Sequence, residues 1–174
     1  MNDWEQIVKG HASLVWTTAF QLLNHREDAA DCTQETFLAA LAVARKEPVR
    51  NWKSLLVRLC ICRALDQLRR RTRDEGRHER SVDCSGLAST QISPEQVTEK
   101  AELADRLRRA LAILPEQQAE VFCLRYFNEM SYREISRQTG IHRTTVSVLL
   151  HRARLKLRQH LNGRTSTPHD ESER

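Results

Sequence analysis

The segment from Ser131 to Arg158 constrains the fold most, because several local signals in it agree on two helices joined by a tight turn. Ser131 and Glu134 have the spacing of a capping box, in which each side chain bonds the other residue's backbone N–H at a helix start. Gly140 then supplies the positive φ that a short turn between helices needs. The segment therefore predicts a helix-turn-helix.

The second helix of this motif has an apolar and a polar face. Apolar side chains recur at three- and four-residue steps from Val146 to Leu161, as in an amphipathic helix. The polar face offers short side chains and then cations, suited to base edges and phosphates: His142, Arg143, Thr144, Ser147, His151, Arg152 and Arg154. No acidic residue lies between Ile135 and His169. A solvated helical hairpin is the alternative, but an acid-free basic stripe favours DNA as the partner.

The N-terminal part of the chain predicts three helices with segregated charge. The second helix, from about Glu27 to Arg45, has an acidic side suited to a basic partner, and the third runs from Asn51 to about Arg73. No acid lies between Glu47 and Asp66, and the third helix carries the cations Lys53, Arg58, Arg63, Arg69, Arg70, Arg71 and Arg73. The alternative interpretation is that these charged helix faces are only solvated. The separation of acidic and basic charge onto two helices suits a domain that bridges a protein and DNA.

The predicted fold class is all-α, with two small helical domains joined by a flexible linker. A polar stretch without helical periodicity separates two apolar-patterned regions, and Ser93 and Pro94 begin a predicted helix restart. We assign residues 1–73 to the first domain, 74–98 to the linker, 99–163 to the second domain and 164–174 to a disordered tail. The low aromatic content, 5%, and the 29% of charged residues suit small helical bundles.

Several classes of function are not expected. The chain has no glycine-rich phosphate loop, no nucleophile elbow and no isolated carboxylate pair, so it is not expected to be an enzyme or to use a cofactor. Cys60 and Cys62 would point to different helix faces, which disfavours structural zinc. The five cysteines predict no disulfide framework. No apolar run is long enough to cross a bilayer, no secretion signal begins the chain, and we expect a cytoplasmic protein.

Taken together, the two halves resemble a bacterial sigma factor of the extracytoplasmic-function (ECF) group of the sigma-70 family. HREDAADCTQETFLAALAVAR, residues 25–45, is similar to the family's region 2.2, and residues 55–73 are similar to regions 2.3 and 2.4. Residues 113–158 are similar to region 4. The resemblance implies a bacterial protein that binds core RNA polymerase and directs promoter recognition and transcription initiation. It also implies an anti-sigma partner and leaves nucleotidyl transfer to the core enzyme.

The resemblance also implies roles for individual residues. A surface that docks on the β′ coiled coil of the polymerase would comprise Asp28, Asp31, Gln34, Glu35 and Phe37. Residues of the third helix would meet and open the minus-10 element: Trp52, Lys53, Arg58, Cys62, Arg63, Asp66, Arg69 and Arg70. Residues of the last helix would bind the minus-35 element in the major groove: Arg143, Thr144, Thr145, Ser147, Val148, His151 and Arg152. The polymerase β flap would meet an apolar surface around Leu124 and Phe127.

Departures from the family pattern leave alternatives open. Cys62 stands where the family usually has asparagine, and a thiol is a weak donor and acceptor. Leu55 stands where tryptophan is frequent, and the last helix lacks two of the usual cations, which lowers its attraction to phosphates. One alternative is a sigma-like docking module with impaired promoter melting. The other is a stand-alone helix-turn-helix transcriptional regulator, which the region 2 resemblance disfavours.

Overall fold

The computed structural model describes residues 4–75 and 94–162, and the regular elements in these ranges are seven α-helices. They are α1 (Trp4–Leu23), α2 (Arg26–Ala44), α3 (Trp52–Glu75), α4 (Pro94–Ile113), α5 (Glu116–Tyr126), α6 (Tyr132–Thr139) and α7 (Arg143–Asn162). The predicted all-α class is confirmed. The disorder predicted for the linker and the tail falls largely on residues 76–93 and 163–174, which lie outside the described ranges.

The helix limits differ slightly from the predicted domain limits. Helix α3 continues to Glu75, two residues beyond the predicted limit at Arg73. Helix α4 begins at Pro94, inside the stretch assigned to the linker. Proline suits the first position of a helix because its missing N–H would have no intrahelical acceptor there. The helix restart predicted at Ser93 and Pro94 agrees with this start of α4.

The N-terminal half, helices α1 to α3, is a three-helix unit in which each helix packs on the other two. Its largest fully buried side chains include Leu22, Leu56, Ile61 and Leu65. The ring of Trp4 stands edge-on to two aromatic neighbours, with centroid distances of 6.2 Å to Phe37 and 5.7 Å to Trp52. This aromatic cluster joins the start of α1 to α2 and α3.

The C-terminal half, helices α4 to α7, is built around α7. Helices α4, α5 and α6 all pack on it, and its apolar stripe is buried at Val146, Leu149, Leu150, Ala153 and Leu157. Ile135 of α6 is also fully buried. Pro115 separates α4 from α5. The apolar periodicity predicted this four-helix arrangement.

The two halves share one continuous apolar core instead of standing apart. Helices α4, α5 and α6 all contact α3, so α3 is covered on one side by α1 and α2 and on another by the C-terminal half. Helical units of this size bury a small fraction of their surface when isolated, and packing against each other removes more apolar surface from water. Helical periodicity alone did not indicate this packing.

Candidate protein and nucleic-acid interfaces

The turn between α6 and α7 has the predicted geometry. Ser131 Oγ accepts a hydrogen bond from the Glu134 backbone N–H at 3.3 Å, and Glu134 Oε2 accepts one from the Ser131 N–H at 2.8 Å. The Ser131 hydroxyl also donates to Glu134 Oε2 at 2.6 Å, and these bonds hold the pKa of Glu134 below its ordinary value. Gly140 has a φ of 74°. Both ends of α6 are therefore fixed by local bonding, which sets the direction in which α7 starts.

The capping box gives a first test of this local account. Replacing Ser131 by alanine removes the acceptor for the Glu134 N–H, and we expect the free energy of unfolding to fall by about 1 kcal/mol. Urea unfolding followed by circular dichroism measures the change. Ser147→Ala is the matched control, because the same substitution inside exposed α7 loses no cap and improves helix propensity. Equal unfolding midpoints for wild type and Ser131→Ala would contradict the account.

The outer face of α7 is available to a ligand. All seven side chains implied for minus-35 binding are exposed: Arg143, Thr144, Thr145, Ser147, Val148, His151 and Arg152. The His142 ring and the Thr144 hydroxyl lie 2.9 Å apart, beside the start of the helix. Because the apolar stripe of α7 is buried against the rest of the C-terminal half, this exposed face can enter a groove without unpacking the helix.

The acidic face of α2 is only partly free. Asp31, Gln34 and Glu35 are exposed, but Glu35 accepts a hydrogen bond from Arg63 of α3 at 3.0 Å. Asp28 is half-buried and ion-paired with Arg71 of α3. The acidic charge of α2 is thus partly balanced within the N-terminal half. Among the residues that the structure describes, Asp31 and Gln34 are the members of the implied surface that are exposed and make no hydrogen bond or ion pair with α3.

Two apolar residues change the description of that surface. Phe37, expected on it, is buried against Trp4, so it supports α2 from behind and cannot contact a partner directly. Leu38 was not predicted, yet it is 59% exposed. It lies one helical turn beyond Gln34 and on the same side of α2. Leu38 lies outside the buried apolar stripe of α2, which includes Phe37 and Ala40. A leucine out of register with that stripe was the sequence signal that could have identified it as a surface residue.

The residues of α3 implied for promoter opening lie on different sides of the helix. Arg58, Cys62 and Arg69 are separated by four and seven residues, so they share one face, and contacts of Arg58 place that face toward the C-terminal half. Trp52 packs against Trp4, and Arg63 pairs with Glu35, so both are occupied within the N-terminal half. Three other members are exposed on α3: Lys53, Asp66 and Arg70.

Arg58 is the clearest case of a nucleic-acid candidate that contacts protein instead. Its Nε donates to Glu120 Oε1 of α5 at 2.7 Å, and its Nη1 donates to the Gln138 carbonyl of α6 at 3.5 Å. Glu120 is only 5% exposed. In this arrangement the Arg58 guanidinium is held by groups of α5 and α6, while 42% of its side chain stays exposed.

The pKa of the Cys62 thiol is shifted by the same contact between α3 and α5. Burial and the nearby Glu120 carboxylate raise its pKa to about 11. At neutral pH this lowers its thiolate population roughly 100-fold relative to a cysteine with the ordinary pKa of 9.0, and the greater nucleophilicity of a more basic thiolate offsets only part of that loss. Cys62 is therefore a poor nucleophile in the folded chain.

Alkylation kinetics test this environment. We expect iodoacetamide to modify Cys62 at pH 7 about tenfold or more slowly in the folded chain than in urea, because neutral thiol dominates below the raised pKa. The rate should keep rising with pH up to about 11. Mass spectrometry of the Cys62 peptide measures both rates. Equal rates in the folded and denatured chains would show that the thiol is not shielded.

The apolar surface expected around Leu124 and Phe127 is not present as described. Leu124 is fully buried and Phe127 is half-buried, because α5 turns this side toward the core of the C-terminal half. The exposed aromatic residue nearby is Tyr126, at 49% exposure. The prediction that Leu124 forms part of a surface for the β flap was therefore wrong.

Within residues 4–75 and 94–162, no three His, Cys, Asp or Glu side chains are grouped so that they could hold a metal ion. Over the same ranges, none of the helices combines the length and apolar character required to cross a membrane.

Both halves of the chain are similar to known protein families. A sigma-70 region 2 model matches residues 7–74, and a sigma-70 region 4 model matches residues 104–157. The chain is 30% identical over 161 residues to the ECF RNA polymerase sigma factor SigE of Mycolicibacterium smegmatis, covering 92% of this chain and 62% of that protein. It is 28% identical to the RNA polymerase sigma factor YlaC of Bacillus subtilis, covering 90% and 91% of the two chains.

A solved structure shows the same fold. The sigma factor RpoE of Bartonella quintana, crystallised with the anti-sigma factor NepR, matches with a TM-score of 0.56 and 20% identity, over 92% of this chain and 98% of that one. Region 2 corresponds to α1–α3, and region 4 corresponds to α4–α7 without the first part of α4. The two family models together cover most of the chain, which belongs to the sigma-70 family of RNA polymerase sigma factors.

Proposed function

We propose that this chain binds core RNA polymerase through α2, recognises a promoter with its two halves, and directs transcription initiation in the bacterial cytoplasm. The observation that carries the proposal is the separation of two exposed surfaces of opposite character. One is the acidic and amide surface of α2, with Asp31 and Gln34, and the other is the acid-free face of α7, with Arg143 and Arg152. One surface suits a basic protein and the other suits phosphates.

The α2 surface provides the contact with the polymerase. Asp31, Gln34 and Glu35 offer carboxylate and amide groups to basic side chains of the β′ coiled coil, and exposed Leu38 adds an apolar contact at the edge. Protein interfaces commonly bury apolar side chains and surround them with polar and charged contacts, and this combination stabilises the complex. Phe37 and the ion pair of Asp28 with Arg71 hold the helix in position.

Helices α3 and α7 provide the two contacts with the promoter. Residues at the start of α7 enter the major groove of the minus-35 element, where Arg143 and Arg152 contact phosphates or base edges. The face of α3 with Arg58, Cys62 and Arg69 meets the minus-10 element and holds its displaced strand. Extruding a base costs a few kcal/mol, which contacts to the open strand recover.

An anti-sigma factor is a further proposed partner. The structural relative from Bartonella quintana was crystallised with one, and the matching fold of this chain presents comparable regions 2 and 4. A partner that bound either half would compete with the polymerase or the promoter. Its identity and contacts in this protein depend on residues of the partner itself.

Binding of the full chain to core RNA polymerase tests the proposal. We expect a stable complex on size-exclusion chromatography with core enzyme, and weak binding of promoter-length duplex DNA by the chain alone. Tight, sequence-specific duplex binding without core, together with no complex with core, would instead establish a stand-alone helix-turn-helix regulator. A complex with core that opens no promoter would establish a docking module.

A further inference from the structure

We propose that Val148 of α7 reads the minus-35 element by packing against the C5-methyl group of a thymine in the major groove. The inference rests on the proposed function, because it assigns a base to the outer face of the helix that is proposed to enter that groove. The thymine methyl is the apolar group that base edges display in the major groove. Val148 thereby helps to determine which promoters the chain selects.

Val148 lies on the side of α7 that faces away from the rest of the chain. Its side chain is 46% exposed. Consecutive helix residues are about 100° apart, so Val148 lies about 160° around the axis from Val146, which is buried. It is also close to the helix start, about 8 Å along the axis from Arg143. Recognition helices contact bases with residues of these first turns, so Val148 is placed to meet a base edge.

Neither core packing nor helix propensity explains a valine at this position. Nearly half of the Val148 side chain stays in contact with water, and a β-branched residue is a weaker helix former than alanine, glutamate or arginine. The same branching fixes the χ1 angle of a valine in a helix, so the side chain loses little freedom when it packs against a ligand. Val148 therefore offers a rigid apolar contact on a largely polar face.

The side chains around Val148 favour contact with a methyl group over paired hydrogen bonds. Its exposed neighbours in the first turns of α7 are Thr144, Thr145, Ser147 and His151. None of these is arginine, lysine, asparagine or glutamine, the residues that form two hydrogen bonds with one guanine or adenine. The Thr144 hydroxyl lies 2.9 Å from the His142 ring, and this threonine also supplies a methyl group one turn before Val148. This part of α7 therefore suits thymine better than guanine.

Two cations flank the part of α7 that carries Val148. Arg143 and Arg152 are both exposed, and their separation of nine residues places them about 180° apart around the helix, with Val148 between them on the exposed side. Cations on both flanks can contact phosphates on the two walls of a groove while the side chains between them face the bases. Charge complementarity therefore supplies affinity for DNA of any sequence, and the methyl contact supplies the choice of sequence.

Substitution of uracil for thymine tests this contact, because uracil lacks the C5-methyl group and keeps every hydrogen-bonding group of the base. The full chain, both alone and with core RNA polymerase, would select duplexes from a random-sequence library. Each thymine of the enriched duplexes would then be replaced in turn by uracil, and the affinity measured by fluorescence anisotropy. At one or two positions we expect uracil to lower the affinity about fourfold, the effect of exposing one methyl-sized group. Val148→Ala should lower the affinity for the thymine duplex at least as much and abolish the effect of uracil.

Leu155→Ala is the matched control. Leu155 is 48% exposed and lies within about 20° of Val148 around the helix, but about 10 Å further along it, beyond the first turns that enter the groove. Uracil should therefore lower the affinity of this variant as much as that of wild type. Val148→Ile keeps a branched apolar side chain and should also keep the effect. The unfolding midpoint of Val148→Ala should not fall, because alanine favours a helix.

Three outcomes would overturn the thymine contact. They are equal affinity for thymine and uracil at every enriched position, an effect of uracil that persists in Val148→Ala, and no enrichment of any sequence by the chain alone or with core RNA polymerase. Failure of the proposed function gives a different result. Absence of a complex with core would refute that function, while duplexes selected by the chain alone would still decide whether Val148 reads thymine.

Discussion

Replacing Asp31 by lysine is expected to weaken the binding of the chain to core RNA polymerase by about 30-fold or more. Asp31 is exposed at the centre of the acidic face of α2. Loss of one member of a close charge pair at an interface costs about 2 kcal/mol or more, and a lysine adds repulsion from the basic partner. Fluorescence anisotropy of labelled chain titrated with core enzyme measures the affinity, and transcription should fall in proportion.

A matched charge reversal separates a local effect from a general one. Glu47 is exposed in the loop between α2 and α3, away from the acidic face, so Glu47→Lys changes net charge equally without altering that surface. Its affinity for core should stay within about twofold of wild type, because rim and remote charges contribute little. Equal losses in the two variants, or none in Asp31→Lys, would show that α2 is not the docking surface.

Removing Arg143 and Arg152 together is expected to lower the affinity of the polymerase complex for its promoter by more than tenfold at 0.15 M salt. Both cations are exposed on the outer face of α7. Each phosphate contact contributes about 0.9 to the slope of log affinity against log salt, so the slope should fall by about 2. Neither side chain packs in the core, and the unfolding midpoint should therefore stay the same.

Lys9→Ala is the control for this double variant. Lys9 is exposed on α1 and paired with Glu5, so its removal takes one cation from a helix that has no proposed contact with the promoter. The salt slope of this variant should match that of wild type. If removal of Lys9 reduced the slope as much as removal of either arginine, the attraction would be diffuse and α7 would not be docked through its predicted face.

Local signals predicted the parts of this fold that depend on neighbours in sequence. The bonding between Ser131 and Glu134 and the positive φ of Gly140 are confirmed, because caps and turns are decided by residues a few positions apart. The buried stripe of α7 is confirmed for the same reason. Helix limits were predicted within a few residues, and the start at Pro94 followed from a recognisable helix-start pattern.

Contacts between distant helices were not predictable from the same signals. Periodicity shows that Phe37 has an apolar environment nearby but cannot distinguish a docking surface from a core contact with Trp4. Likewise, the basic character of α3 does not reveal that Arg58 meets Glu120, 62 residues further along the chain. Buried Leu124 and exposed Leu38 show the same limitation: exposure depends on which helices pack together, and a single sequence does not encode that choice in its local pattern.

Transcription from host genomic DNA tests the central claim most directly. Purified chain would be mixed with core RNA polymerase and genomic DNA of its own host, and transcripts whose start sites depend on the added chain would be sequenced. We expect discrete starts that share two spaced upstream elements, and loss of those starts with Asp31→Lys but not with Glu47→Lys. Start sites unaffected by the added chain, despite a stable complex with core, would contradict its role in promoter recognition and opening.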